Sequence, residues 1–280
     1  MIKPLAILIL AHLLADFILQ PASLIALKQN KNRPPKFWNS GIFWHSVVHL
    51  AVSTALLVLW GLWGWQAGLA VLCIFAAHYL IDRFKFLWKF QGTWVFILDQ
   101  ALHFLAIYLI LLAFGLAAGP IPLVGLAVSF GQHSLPLSLS NKLALWAICV
   151  IGLVWVSGHL VKNILGSLRL RSFESLKKAE LENSAAPEPG NSPTQTEIRD
   201  AQPTEASTGL YIGYLERLLV GVFMVSGIYT GLGLLGTLKT LARFKQLENR
   251  EVTEYFILGT MLSMLLGMLF GALLRFIILY

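Results

Sequence analysis

Four pairs of residues near the start of the chain repeat one spacing: His12 and Asp16, His45 and His49, His78 and Asp82, Asp99 and His103. Each pair is i, i+4, so on a helix both side chains share a face, with Cβ atoms about 5–6 Å apart. Imidazole with carboxylate is the donor set of a hard-to-borderline divalent metal. Helix bundles build di-metal sites from such residues projecting inward. Five of the seven histidines and three of the 14 acidic residues belong to these pairs. The expected ligands are therefore His12, Asp16, His45, His49, His78, Asp82, Asp99 and His103. Five imidazoles favour zinc first, with manganese or iron behind it, over magnesium or calcium, which prefer oxygen. Two metals with a bridging water would suit hydrolysis of a phosphoryl or acyl bond. Asp16, Asp82 or Asp99 would act as general base, and Lys85 would contact an anionic group.

Blander readings compete with this one. A single His in an apolar span is often a satisfied core residue or an interhelical hydrogen bond. Lys85 is as readily an interfacial lysine whose ammonium reaches for water. Eight such groups together are harder to dismiss. Each ionisable residue costs at least about 2.5 kcal/mol to place in a bilayer, and such residues default to functional sites. A proton or ion relay and a purely structural layer remain as alternatives.

The elements that carry the pairs are membrane helices. Of the 280 residues, 57% are hydrophobic and only 12% charged. An ordinary soluble domain has about 45–50% and about 25%. The mean hydropathy of +0.71 agrees. The expected fold is all-α, a polytopic bundle of about seven spans, each needing about 20 apolar residues. The spans read Pro4–Ile25, Ile42–Trp63, Gln66–Phe86, Val95–Leu116, Leu143–Leu165, Leu210–Leu235 and Tyr255–Leu279. The first does not read as a cleaved signal peptide, because His12 and Asp16 interrupt it and no small-residue cleavage site follows. Cys73 and Cys149 both lie in apolar runs, which excludes a disulfide framework and a thiolate zinc site.

Ala11-His12-Leu13-Leu14-Ala15-Asp16 recurs as Ala77-His78-Tyr79-Leu80-Ile81-Asp82. Each copy ends a span and is followed by a basic loop and a span that opens with another polar pair. The first four spans thus read as one helical hairpin used twice. Spans one and three carry their pairs near their ends, and spans two and four near their beginnings. All eight groups fall at one depth, with Gln20, Lys85 and Gln100 in the same layer. His159 could join them, and His133 has no expected role.

Loop charges orient the bundle. Lys28, Lys31, Arg33 and Lys36 fill the first loop, Arg83, Lys85 and Lys89 the third, and Arg169, Arg171, Lys177 and Lys178 the fifth. Loops two and four have none. Basic loops stay cytoplasmic, so the N-terminus is expected outside and the His/Asp layer near the cytoplasmic face. The net charge of +7 then reflects topology, and nucleic acid is not an expected partner. Membrane lipids are, and protein partners are open. Trp60, Trp63 and Trp65 would mark the outer interface, and Trp38, Trp44, Trp88 and Trp94 the inner one.

Three segments follow: a five-span module at 1–168, a Pro/Ser/Thr-rich cytoplasmic linker at 169–209 and a two-span module at 210–280. The run SAAPEPGNSPTQTEIRDAQPTEAST cannot bury enough apolar surface to fold alone. One feature conflicts with the charge rule. Lys239, Arg243, Lys245 and Arg250 would lie outside if 210–235 crossed once, so either that segment re-enters or 237–246 forms an interfacial or buried helix. Glu216 has Lys239 or Arg243 as possible partners. Gly227, Gly231, Gly233, Gly236, Gly267 and Gly271 permit close helix approach. This module reads mainly as packing.

The strings AHLLADFILQ, HSVVH, AHYLIDRFK and DQALH resemble the bacterial membrane-protein family known as domain of unknown function 3307. Glu216-Arg217, Lys239, Arg243-Phe244, Glu254-Tyr255 and Gly259-Thr260 resemble the second part of its longer members. The resemblance implies an inner-membrane protein and supplies no activity. A looser similarity runs to membrane-bound metal-dependent hydrolases. The leading expectation is a membrane metalloprotein, as a hydrolase of a lipid or isoprenoid phosphate. A cation or proton transporter is the alternative, and a structural or bis-His haem protein comes third.

Overall fold

A computed structural model describes residues 3–21, 23–24, 41–88, 92–117, 138–168, 203–242, 244 and 250–279. Those residues form eight helices and no strand: α1 Lys3–Phe17, α2 Gly41–Leu59, α3 Trp65–Trp88, α4 Thr93–Ala113, α5 Leu139–Leu168, α6 Pro203–Ser226, α7 Thr230–Ala242 and α8 Arg250–Leu279. Six of them, α2 to α6 and α8, hold stretches long and apolar enough to cross a membrane. The basic loops one and five, the fourth loop with His133, and most of the linker lie outside the described residues.

α1 is the central helix. It packs on α2, α4 and α5, and most of Ala6–Ala15 is buried. A helix covered on all sides must be apolar all round, which is how α1 reads apart from His12 and Asp16. It stops at Phe17 rather than running to Ile25. Pro21 accounts for the early end, because the residue before a proline is pushed out of the α region.

α2 ends at Leu59, short of the expected Trp63. Gly61 takes φ +67°, Leu62 N donates to Leu57 O at 2.8 Å and Gly61 N to Val58 O at 3.0 Å. This is the Schellman arrangement, which needs a left-handed residue that glycine supplies without strain. Trp63 and Trp65 are exposed near this end and Trp44 and Trp94 at the other, while Trp60, expected with Trp63 and Trp65, packs partly buried on the core. The half of the bundle near Gly61 is closed by a core of Ile7, Leu8, Leu57, Val71, Ile107 and Leu111.

The span expected at 210–235 is not one crossing. α6 ends at Ser226, the chain turns at Gly227 with φ +74°, and α7 returns. Lys239 Nζ donates to Glu216 Oε2 at 2.5 Å, so α6 and α7 are antiparallel. Lys239 is one of the two partners expected for Glu216; the other, Arg243, lies outside the described residues. α8 then runs parallel to α6: Gly267 faces Val220, Gly271 faces Met224, and Arg275 reaches the Met224 carbonyl. The return through α7 therefore puts the end of α7 and the start of α8 on the side where α6 begins. Lys239, one of the charges in conflict with the charge rule, thus lies at the end of the hairpin where α6 begins. α6 also begins at Pro203, inside the expected linker, because proline suits the first turn of a helix, where its missing N–H costs nothing.

The glycines act as contact surfaces. A Cβ on Gly152 would lie 2.3 Å from the Phe270 ring, on Gly271 2.7 Å from Met224, and on Gly221 2.5 Å from Leu153. Close approach of this kind drives helix association where lipid removes the hydrophobic difference. α5 is interrupted by a π-helical turn at Gly152–Val156, which frees backbone carbonyls. Ser157 Oγ donates to the Leu153 carbonyl. The buried Arg217 of α6 donates from Nε to Val154 O at 3.0 Å. The π turn thus gives a buried arginine a backbone acceptor.

Candidate metal centre

The four polar pairs converge as their spacing predicts. α1 and α3 deliver His12, Asp16, His78 and Asp82 from their later turns. α2 and α4 deliver His45, His49, Asp99 and His103 from their earlier turns. All five imidazoles are at most 3% exposed. They form one cluster: ring centroids lie 4.6 Å apart for His45 and His49, 3.7 Å for His49 and His78, and 4.4 Å for His78 and His103. His12 stands 5.0 Å from His49 and 4.9 Å from His103.

The first hairpin makes the tightest arrangement. His45 Nε2 lies 2.9 Å and His49 Nε2 3.0 Å from the same oxygen, Asp16 Oδ1. The two nitrogens are 3.2 Å from each other. Hydrogen bonds satisfy such a triangle poorly. Two N–H donors would aim at one side of one oxygen, and the short N···N edge would hold no proton if both donated to Asp16. A cation satisfies all three atoms together. Ligands at about 2.1 Å on one octahedral face lie about 3.0 Å apart, and tetrahedral ligands at about 2.05 Å lie about 3.3 Å apart. The observed edges of 2.9, 3.0 and 3.2 Å match that span to about 0.1 Å. His78 brings a ligand atom close enough to complete a four-residue group with Asp16, His45 and His49, all within 4.8 Å of one another.

The Asp16 carboxylate is also held from behind. Gln100 Nε2 donates to Asp16 Oδ2 at 3.1 Å. The Gln100 side-chain oxygen and Asp16 Oδ2 both lie 3.4 Å from His12 Nε2. His12 thus faces the rear oxygen of Asp16, outside the triangle. Outer partners of this kind orient a ligand and tune its basicity. His45 departs from the pattern, because its Nδ1 is buried without a hydrogen-bond partner.

The second hairpin is arranged differently. His78, Asp82 and His103 each offer one ligand atom within a 4.8 Å group. His78 Nε2 and Asp82 Oδ2 are 3.8 Å apart. Asp99 lies outside both groups, and Lys85 Nζ donates to its Oδ2 at 2.6 Å. The Lys85 side chain is 40% exposed and the Asp99 side chain 7%, so Lys85 carries positive charge from the rim down to the layer.

Other residues considered from sequence do not join. His159 is exposed, with Nδ1 3.1 Å from Trp155 O and its ring against Phe17. Gln20 is half-buried past the end of α1. The bridging role of Gln100 was not legible in sequence beyond its place in the layer, because it joins α4 to α1 across 84 residues.

Comparison with curated proteins and with solved structures gives no match. Residues 5–120, which hold all eight His and Asp residues of the layer, match the family described as protein of unknown function (DUF3307).

Proposed function

We propose that this protein is an integral membrane metalloprotein whose cation, zinc as first candidate, is held by Asp16, His45 and His49, and that it hydrolyses a phosphate ester of a lipid or isoprenoid. The observation that carries the reading is the triangle of Asp16 Oδ1, His45 Nε2 and His49 Nε2, with edges of 2.9, 3.0 and 3.2 Å. Its donor set is two imidazoles and one carboxylate, which suits zinc, iron or manganese.

Such a cation supplies Lewis acidity and lowers the pKa of bound water toward neutrality. The residues around it divide the remaining work. Gln100 fixes the Asp16 carboxylate. Asp99 stands outside both ligand groups, and its Oδ1 is buried without a hydrogen-bond partner. It is the carboxylate available to take the water proton and return it to the leaving oxygen. The water oxygen forms the new bond to phosphorus as the ester P–O bond breaks. Lys85 neutralises Asp99 and presents its exposed side to an anionic headgroup. The loop charges favour the cytoplasmic leaflet as the working surface.

A cation or proton conduit fits less well. Polar groups would be needed across the whole bilayer, and the half of α1 to α4 near Gly61 is closed by Ile7, Leu8, Leu57, Val71 and Leu111. Haem fits poorly too, because the imidazoles pack against one another with no slab between two of them for a macrocycle.

Two measurements test the proposal. Protein purified without chelator should contain at least one equivalent of a transition metal, and His45→Ala and Asp16→Asn should lose it. Metal-loaded protein should release inorganic phosphate from polyisoprenyl phosphate or phosphatidic acid in mixed micelles. Metal without phosphate release would remove the hydrolase assignment, and a metal-free wild type would remove the whole reading.

A further inference from the structure

We propose that His78, Asp82 and His103 hold a second divalent cation beside the first, making the centre binuclear and matched to an anionic phosphate ester. The inference deepens the metal reading above and rests on it.

His78 lies within reach of both groups; assigned to the second, it leaves each set with two imidazoles and one carboxylate, and the ligand atoms of the second lie within 4.8 Å of one another. Its His103 is set up as a ligand. Nδ1 lies 2.8 Å from the Asp99 backbone carbonyl, which can only accept. The ring proton therefore sits on Nδ1, and Nε2 carries a lone pair. That Nε2 is buried with no hydrogen-bond partner. So is His78 Nε2, on a residue 3% exposed. A buried ring nitrogen without a partner is costly, and two of them beside a carboxylate would be relieved together by one cation. Asp82 Oδ2 stands 3.8 Å from His78 Nε2, beyond a hydrogen bond and close to the edge of a shared coordination shell.

The two sets abut. His49 of the first and His78 of the second stack at 3.7 Å between centroids, with planes 29° apart. Two-metal hydrolytic sites hold their ions about 3.5–4 Å apart, the scale of one stacked imidazole pair. Charge then selects the substrate. Two dications meet Asp16 and Asp82, while Asp99 is neutralised by Lys85. Two positive charges remain for hydroxide and an anionic substrate, and a phosphate monoester supplies enough negative charge where a neutral ester does not.

The test is equilibrium dialysis of full-length protein in detergent, stripped by chelator and titrated with Zn²⁺ alone. Wild type should bind two equivalents in two affinity classes. Asp82→Asn and His103→Gln should each lose one equivalent and keep the tight class within about threefold. Asp82→Glu should restore the second equivalent, a rescue that a merely structural carboxylate would not show. Unchanged elution and thermal midpoint for the three variants keep misfolding apart from ligand loss. One equivalent in wild type, abolished by Asp16→Asn and indifferent to Asp82→Asn, would overturn the second site and leave the first. Two equivalents retained in both Asp82→Asn and His103→Gln would also overturn it. No binding in wild type would overturn both readings.

Discussion

The two helical hairpins carry the same motif, yet they assemble different sites. In the first, Asp16 meets both histidines of α2, and three donor atoms close to within 3.2 Å. In the second, the residue matching His45 is Asp99, and the residue matching Leu19 is Lys85. Those two differences act together. Lys85 and Asp99 form an ion pair at 2.6 Å, which withdraws Asp99 from the ligand groups and leaves His78, Asp82 and His103 more loosely gathered. An i, i+4 pattern therefore selects which residues share a face. Whether they converge on one point depends on the residue one turn away that competes for the carboxylate.

The largest way to break this contrast is Asp16→Asn. It removes the oxygen common to both histidines, and affinity of the tight site should fall at least about 100-fold, beyond the 10–100-fold range of outer partners. Metal content after gel filtration reads this directly. Gln100→Leu should come next, at about 10–100-fold, because Asp16 loses the amide that orients it. A tight class unchanged in dialysis would show that Asp16 needs no such support.

The contrast can also be erased. Lys85→Leu with Asp99→His gives the second hairpin the residues of the first. Its cation should then bind about tenfold more tightly, about 1.4 kcal/mol, while phosphate release falls because base and anion contact are both gone. Titration calorimetry checks the first half and the micelle assay the second.

Smallest at the metal is Arg217→Met, which should leave stoichiometry unchanged. It strips the Val154 carbonyl of its side-chain donor at the π turn, at a cost of about 1–3 kcal/mol. A lower thermal midpoint in detergent with full metal content is the expected pair of results. Loss of metal would tie α6 to the site and not to packing alone.

Much of this was legible in the sequence because helical periodicity is a strong signal. Four i, i+4 pairs at mirrored positions in two hairpins had to meet at one depth once the spans were assigned, and the structure brings them together. The turn back into α7 was signalled by the misplaced charge of Lys239, which a single crossing of 210–235 could not accommodate. The C-terminal glycines gave their signal through spacing, and Gly267 and Gly271 do admit Val220 and Met224.

What stayed hidden depends on contacts between distant helices. Gln100 reaches Asp16 and Arg217 reaches Val154, and neither pairing has a local pattern. The π turn has none either: no proline marks it, Phe270 packs on its Gly152 and Arg217 donates to its Val154 carbonyl. The unequal assembly of the two hairpins was hidden for the same reason. Lys85 is close in sequence to Asp82, and its bond to Asp99 follows only from how α3 and α4 cross.

X-ray absorption at the metal edge of the purified full-length protein tests the central claim most directly. The account predicts nitrogen and oxygen scatterers at about 2.0–2.2 Å, with imidazole outer-shell scattering equivalent to at least two histidines and its amplitude reduced in His49→Gln. A protein without a metal edge, or a spectrum lacking imidazole scattering, would contradict it.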